Sequence, residues 1–200
     1  MKNSSYANRG RAFEELLKFV HARYQRAGIA CVHKVPTEFL PIRDARGRVT
    51  SCKVEEKSCV DYLGRYHGIP VAIEAKHEEG ERISFNRVEP HQAAYLTDFI
   101  KDPGAVGIVL VSFGMRRFFA IPWSFWKVAQ DTWNNKPDPK VRKCVKVNIH
   151  AYGYEWTTPG MASVSADELL PEWEIKPGDV SGLPYLETID CLRKEEEVWI

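Results

Sequence analysis

The N-terminal part of the chain carries apolar side chains at helical spacing, with polar residues between them. Five of them lie three or four positions apart along one stripe: Phe13, Leu16, Leu17, Val20 and Tyr24. This spacing predicts an amphipathic helix from Arg9 to about Gly28, because a period of about 3.6 residues brings such positions onto one face. Glycine is a natural helix end. The next apolar stretch, 29–33, predicts a short strand.

Strand-like patterns follow in the middle of the chain. Four apolar segments are predicted to be strands: 58–63, 70–76, 107–113 and 117–121. A turn near 64–68 is expected between the first two, and a turn at Gly114 between the last two. Helices are predicted at 91–100 and 123–133. This order of elements predicts an α/β fold with a mixed central β-sheet flanked by helices.

The segment 37–57 differs from its neighbours because it is rich in charged residues and its two apolar arms alternate only in part. Its centre, Asp44-Ala45-Arg46-Gly47, is a turn signal. We therefore expect a protruding β-hairpin with little burial. Four basic residues cluster there: Arg43, Arg46, Arg48 and Lys53. They form either a solvated face or a contact with a polyanion, and their number in so short a stretch favours the contact.

Length and composition are typical of one soluble globular domain, with 200 residues, 44% of them hydrophobic and 28% charged. Because the net charge is only +1, binding to nucleic acid must rely on local basic clusters. Three parts are expected: a flexible N-terminus at 1–8, a core at 9–134, and a C-terminal extension at 135–200 packed on the same domain. In the extension prolines interrupt the pattern, and Val145–Ile149 predicts one more strand. In the core, helix 91–100 is expected to turn Ala94, Tyr95 and Phe99 inward.

No apolar run approaches the roughly 20 residues that a membrane span needs, and the N-terminus lacks the apolar region of a signal peptide. The five cysteines are scattered without metal-ligand spacing, which favours reduced thiols over disulfides or structural zinc. These observations predict a cytoplasmic protein without membrane association.

The most informative polar residues interrupt two apolar runs. Side chains of an extended strand alternate between faces, so Glu74 and Lys76 share a face, roughly 7 Å apart at their Cα atoms. If Asp61 lies on the adjacent strand, two carboxylates and an ammonium group converge. Hard divalent cations such as Mg²⁺ bind one or two carboxylates together with waters and phosphate oxygens, and a lysine nearby can help to deprotonate the attacking water. The pattern therefore indicates metal-assisted phosphodiester hydrolysis.

Five short motifs, in this order, resemble the RecU-type Holliday junction resolvases, which have the restriction-endonuclease-like, PD-(D/E)xK fold. They are Asn8-Arg9-Gly10, His33-Lys34-Val35-Pro36-Thr37, Val60-Asp61-Tyr62-Leu63-Gly64, Glu74-Ala75-Lys76 and His91-Gln92. The resemblance covers roughly residues 8–130. One position departs from the family, since Val60 stands where the family usually has threonine.

The resemblance implies five catalytic residues: Asp61, Glu74, Lys76, Glu14 and Gln92. The three carboxylates among them are the implied metal ligands, and the lysine is the implied catalytic lysine. On the first helix either Glu14 or Glu15 can complete the acidic cluster, and Glu14 is favoured because it lies beside the apolar stripe. Gln92 is implied to position water or a phosphate group, but capping of its own helix explains it equally well.

The resemblance also implies a homodimer that binds four-way DNA junctions and makes paired symmetric nicks with Mg²⁺, for which Mn²⁺ substitutes. Hairpin 37–57 corresponds to the family's stalk, which inserts at the junction centre. The expected DNA-binding residues are Arg9, Lys34, Arg43, Arg46, Arg48 and Lys53. A recombinase partner, and a bacterial or virus-infected bacterial cell as the location, are implied as well.

Two other functions stay open at this point. One is a nuclease of the same fold that acts on forks or duplexes, and the other is a catalytically silent DNA-binding protein that modulates recombination. The intact set of Asp61, Glu74 and Lys76 argues against the silent protein. The hairpin favours the junction over a plain duplex, because a duplex cutter has no need of a wedge.

Overall fold

The structure is a computed structural model that describes residues 4–134, 145–149, 154–158, 162–178 and 182–189. Its helices are α1 (Ser4–Arg26), α2 (Pro90–Phe99) and α3 (Trp123–Asn134). Its strands are β1 (Ala30–Lys34), β2 (Glu38–Arg43), β3 (Val49–Glu56), β4 (Tyr62–Tyr66), β5 (Ile69–Glu78), β6 (Arg82–Ser84), β7 (Val106–Phe113), β8 (Arg117–Pro122), β9 (Val145–Ile149), β10 (Tyr154–Thr158), β11 (Ser163–Ser165) and β12 (Glu174–Ile175). Helix α1 thus begins at Ser4, inside the segment expected to be flexible.

The central sheet has six strands in the order β1-β4-β5-β7-β8-β12. The β5–β7 pair is parallel, and the other neighbouring pairs are antiparallel. A parallel pair needs a crossover connection, and α2 supplies it here. The predicted mixed sheet flanked by helices is confirmed.

Strand β5 is buried on both faces of the sheet, and its side chains alternate as predicted. Val71 and Ile73 belong to the core under α1, together with Phe13. Ala72 belongs to the opposite core, where Trp126 of α3 packs. Glu74 and Lys76 lie on the same face of the sheet as Ala72, because side chains two positions apart in a strand share a face.

Three local predictions differ from the structure. Asp61 was expected inside a strand, but β4 begins only at Tyr62 and Asp61 lies in the bend before it. The expected turn at 64–68 is shorter, because β4 continues through Gly64 to Tyr66. A larger residue than glycine would not fit at position 64, since a Cβ there would lie 2.2 Å from the backbone oxygen of Cys31 on β1. In α2, Tyr95 and Phe99 pack against the core as expected, although they are only partly buried, whereas Leu96 is fully buried and Ala94 is exposed.

The predicted hairpin is confirmed as a separate two-stranded sheet of β2 and β3, with every described β2 residue exposed. Its turn closes on Asp44, whose N–H donates to the carbonyl of Arg48. We call residues 37–57 the stalk.

The described parts of the C-terminal region contact the core at several places, among them the antiparallel pairing of β11 with β6. Strand β12 pairs with the outer edge of β8, where Arg117 forms a two-point ion pair with Glu174. Buried Tyr185 shares a hydrogen bond with His21 of α1, with 2.7 Å between its Oη and the imidazole Nε2. The segment 140–144 and the acidic chain end lie outside the described residues. Among the described residues, none of the helices combines the length and apolarity that crossing a membrane requires.

Candidate active site

The register of β4 against β5 brings Asp61 to the middle of β5. Tyr62 pairs with Ile73, so the residue before Tyr62 lies beside the continuation of β5, where β4 no longer forms a ladder. There the Asp61 Oδ2 accepts the N–H of Ala75 at 2.9 Å. The carbonyl of Asp61 accepts the N–H of Val35, just after β1, at 2.8 Å. Asp61 is therefore held by its side chain and its backbone.

Glu74 and Lys76 meet on the α2 side of the sheet. Lys76 Nζ lies 2.5 Å from Glu74 Oε1, and the same oxygen accepts the Gln92 Nε2–H at 2.7 Å. Gln92 Oε1 accepts the N–H of Glu89 at 2.9 Å and lies 3.4 Å from Lys76 Nζ. Gln92 thus caps its helix and donates to Glu74 at the same time, and its role in positioning water or a phosphate group stays a prediction.

The buried carboxyl of Glu74 is electrostatically costly in its ionised form. Burial above all, and then the negative charge of Asp61, raise the pKa of Glu74 from 4.5 to about 7, although Lys76 opposes the rise. The second oxygen, Oε2, is buried and accepts no hydrogen bond from the described residues. A buried oxygen without a donor costs free energy.

This arrangement fits a hard divalent cation. A cation between Asp61 and Glu74 would supply the missing partner of Oε2 and remove the repulsion between the carboxylates, whose oxygens suit Mg²⁺. Within the described residues, no three carboxylate, imidazole or thiol side chains are grouped as a metal-ligand set. The protein therefore offers a pair of carboxylates, and water or phosphate oxygens would have to complete the shell.

These groups line an open cleft of about 850 Å³ at the end of the sheet. Glu14 of α1 also lines the cleft. Its carboxylate forms an ion pair with Lys34, with 2.5 Å between Oε2 and Nζ, rather than joining the cluster of Asp61, Glu74 and Lys76. Both partners are about half exposed, so their ion pair is open to competition from solvent or ligands. Glu15 is exposed on α1 and lines a neighbouring pocket instead.

Four of the six basic residues expected to bind DNA are exposed on the stalk, where some have protein partners. Arg48 pairs with Asp44 at 2.9 Å, and Arg43 donates to the carbonyl of Gly47 at 2.9 Å. Arg46 and Lys53 are exposed as well. The stalk also exposes four large apolar side chains: Phe39, Leu40, Ile42 and Val49. The side chain of Arg9 lies outside the described part of the chain.

Sequence analysis missed some residues of this site. Arg87 lines the cleft and bridges to Glu78 at 2.7 Å. Glu89 begins α2 and forms a capping box with Gln92. The spacing Glu-Pro-x-Gln just before an apolar helix was a signal for this cap, because a side chain three residues into a helix can reach back to the residue that precedes it.

Comparison with known proteins decides the family. The model of the family described as recombination protein U, RecU, matches residues 8–190. The chain belongs to the RecU family. A RecU relative from Lactobacillus delbrueckii subsp. bulgaricus, named Holliday junction resolvase RecU, is 28% identical over 98% of this chain and 87% of the relative. One of the same name from Streptococcus pneumoniae is 25% identical over 92% of this chain and 84% of the relative.

A solved structure of Archaeoglobus fulgidus Hjc, a Holliday junction resolvase, has a TM-score of 0.38 at 14% identity and covers 55% of this RecU chain and 76% of its own.

Proposed function

We propose that this RecU chain is a Mg²⁺-dependent endonuclease that binds four-way DNA junctions and resolves them by paired symmetric nicks. The observation that carries the proposal is the buried carboxyl of Glu74 together with partly buried Asp61 and Lys76, in an open cleft. The names of the curated relatives support a Holliday junction as the substrate. We propose that it acts in the cytoplasm of a bacterial or virus-infected bacterial cell, with a recombinase as a partner.

Phosphodiester hydrolysis places additional negative charge on the phosphoryl oxygens as water attacks. A divalent cation held by Asp61 and Glu74, with Glu14 in the same cleft, would stabilise that charge and lower the pKa of the water. The protein itself supplies the ammonium group of Lys76, which Glu74 and Gln92 hold at 2.5 and 3.4 Å. This group donates to the phosphate in the transition state.

Positive groups around the cleft and on the stalk hold the DNA. At the rim, Lys34 exchanges its contact with Glu14 for a phosphate oxygen, because their exposed ion pair is weak. The arginines of the stalk contact phosphates, and its exposed apolar side chains suit the open centre of a junction. Since such contacts release counterions, affinity falls steeply with salt. Paired nicks on two strands need two active sites, so we propose that a homodimer acts.

The decisive experiment compares cleavage of labelled four-way junction, fork and linear duplex, with and without Mg²⁺ or Mn²⁺. We expect metal-dependent, symmetric cleavage of the junction. We expect Asp61→Asn and Glu74→Gln to abolish cleavage but to retain junction binding, while Glu15→Gln, which changes an exposed glutamate outside the cleft, cleaves like the wild type. Cleavage retained by either of the first two variants would remove that residue from the mechanism.

The same substrates separate the other functions. Preferred cleavage of forks or duplexes identifies a nuclease of another specificity, and binding without cleavage in any metal identifies a silent modulator. Deletion of residues 42–50 at the stalk tip tests the wedge. We expect this deletion to weaken junction binding more than duplex binding, and an equal loss on both would contradict a role of the stalk in recognising the junction.

A further inference from the structure

The base of the stalk is bonded to α2. Lys57 is the last residue of the stalk, one position after β3 ends, and its Nζ lies 2.6 Å from Glu89 Oε2. Glu89 is the residue that precedes the first turn of α2. The hairpin and the start of this helix are therefore joined by an ion pair, although they are 32 residues apart in sequence.

Glu89 in turn controls the residue that orients the buried carboxylate. Its backbone N–H donates to Gln92 Oε1 at 2.9 Å, and the two residues form a capping box. Gln92 Nε2 then donates to Glu74 Oε1 at 2.7 Å. The contacts run without a gap from the stalk base to the proposed metal ligand: Lys57, Glu89, Gln92 and Glu74.

A second connection runs along the other end of the stalk. Val35, two residues before the stalk begins, donates its N–H to the carbonyl of Asp61. One end of the stalk is thus linked to the carboxylate of Glu74 through Glu89 and Gln92, and the other end to the backbone of Asp61. The backbone bond at Asp61 cannot be removed by a side-chain substitution, whereas the Lys57–Glu89 ion pair can.

The ion pair contributes little to folding. The side chains of Lys57 and Glu89 are 65% and 50% exposed, and ion pairs this exposed to water stabilise a fold only weakly. Their value is in geometry, because a displacement of about 1 Å at a reacting group can lower a rate by about a hundredfold.

We propose that Lys57 and Glu89 are positioning residues that couple the seating of branched DNA on the stalk to the orientation of Glu74. The coupling rests on the proposed nuclease function and specifies how that function is gated. A seated stalk holds Lys57 against Glu89, Glu89 fixes Gln92, and Gln92 presents Glu74 to the cation. A chain without the bridge binds the junction but cleaves it slowly.

The test measures single-turnover cleavage of a four-way junction by the full-length protein, together with junction affinity. Lys57→Met keeps the aliphatic stem and removes the charge, Lys57→Arg keeps the charge, and Glu89→Gln keeps an acceptor for the cap. Lys53→Met removes the same charge from the stalk away from Glu89. Lys101→Met breaks an exposed ion pair with Asp98 at the other end of α2 and serves as the neutral control.

We expect Lys57→Met and Glu89→Gln each to lower the cleavage rate at saturating protein about tenfold. Junction affinity should stay within about threefold of that of Lys53→Met, and melting temperatures should stay unchanged. Lys57→Arg should restore the rate, and the Lys57→Met/Glu89→Gln double variant should be no slower than either single variant, because both break the same bridge.

The proposal is overturned if Lys57→Met changes only affinity, as a simple phosphate contact would, or if the two substitutions slow cleavage additively. Wild-type activity in the same assay distinguishes a failure of the coupling from a failure of the proposed nuclease function. A wild type that cleaves junctions, together with an unimpaired Lys57→Met, rejects the coupling alone. A wild type that does not cleave in any divalent metal rejects the coupling together with the nuclease function.

Discussion

Replacement of Glu74 by glutamine is expected to stabilise the metal-free protein while it inactivates the enzyme. Glutamine keeps an oxygen that accepts from Gln92 Nε2 and Lys76 Nζ, as Glu74 Oε1 does now. Its amide NH₂ replaces the buried Oε2 that has no donor, and can donate to Asp61. The substitution therefore exchanges a repulsion between two carboxylates for a hydrogen bond.

The size of the effect follows from the pKa of Glu74, which burial first and then Asp61 raise from 4.5 to about 7. Since the folded chain binds this proton more tightly than the unfolded chain, stability is lost as the pH rises from about 4.5 to about 7. At about 1.4 kcal/mol per pKa unit, ionised Glu74 costs about 3 kcal/mol at pH 8. At pH 5 the same carboxyl is protonated in the folded chain, and the gain from glutamine falls below about 1 kcal/mol.

The assay is urea unfolding followed by tryptophan fluorescence in EDTA, at pH 8 and pH 5. We expect Glu74→Gln to gain about 3 kcal/mol at pH 8, or about 10 °C in melting temperature. The exposed control Glu15→Gln should stay within about 0.5 kcal/mol of the wild type. Mg²⁺ should stabilise the wild type at pH 8 and leave Glu74→Gln nearly unchanged. A variant that is no more stable than the wild type at pH 8 would refute the electrostatic account of the site.

The stability difference between Glu74→Gln and the wild type is more informative than the pH dependence of either protein alone, because the pKa of His21 is shifted in the opposite direction to that of Glu74. Burial, and then the charge of His33, lower the pKa of His21 from 6.5 to about 4. Its stabilising contribution is present above pH 6.5 and is lost as the pH falls toward 4. Over the range that they share, the two residues offset each other in the wild type. Glu74→Gln removes the contribution of Glu74, so the free energy of unfolding of this variant should fall more steeply than that of the wild type as the pH is lowered.

Further predictions concern the scaffold. Gly64→Ala should cost about 3 kcal/mol in urea unfolding, because its Cβ meets the backbone of β1, whereas Gly10→Ala, with open space in a helix, should gain up to about 1 kcal/mol. Tyr185→Phe should cost about 2 kcal/mol by leaving buried His21 without this partner; an unchanged midpoint would exclude the bond as a source of stability. Arg117→Met should cost about 1 kcal/mol at low salt and less at 1 M salt, which separates its ion pairs from its packing.

The sequence was sufficient for the parts of the site that depend on local periodicity. Alternation along β5 predicted that Glu74 and Lys76 share a face, and their contact follows from it. The position of Asp61 depends on where β4 begins and on its register, which local pattern does not determine because the bend before Tyr62 is stabilised by tertiary contacts. Likewise, Glu14 meets Lys34 through the packing of α1 on the sheet, and no spacing in the chain indicates that pair.

The bond between the Asp61 carboxylate and the Ala75 amide gives the protein a natural reporter. Beyond Ile73 strand β5 no longer pairs with β4, so the Ala75 N–H donates to the side chain of Asp61 instead of to the backbone of a neighbouring strand. Its nuclear magnetic resonance signal should therefore shift whenever the charge on Asp61 changes. Ion loading of the cleft could then be followed at a single backbone position, without DNA, turnover or an attached label.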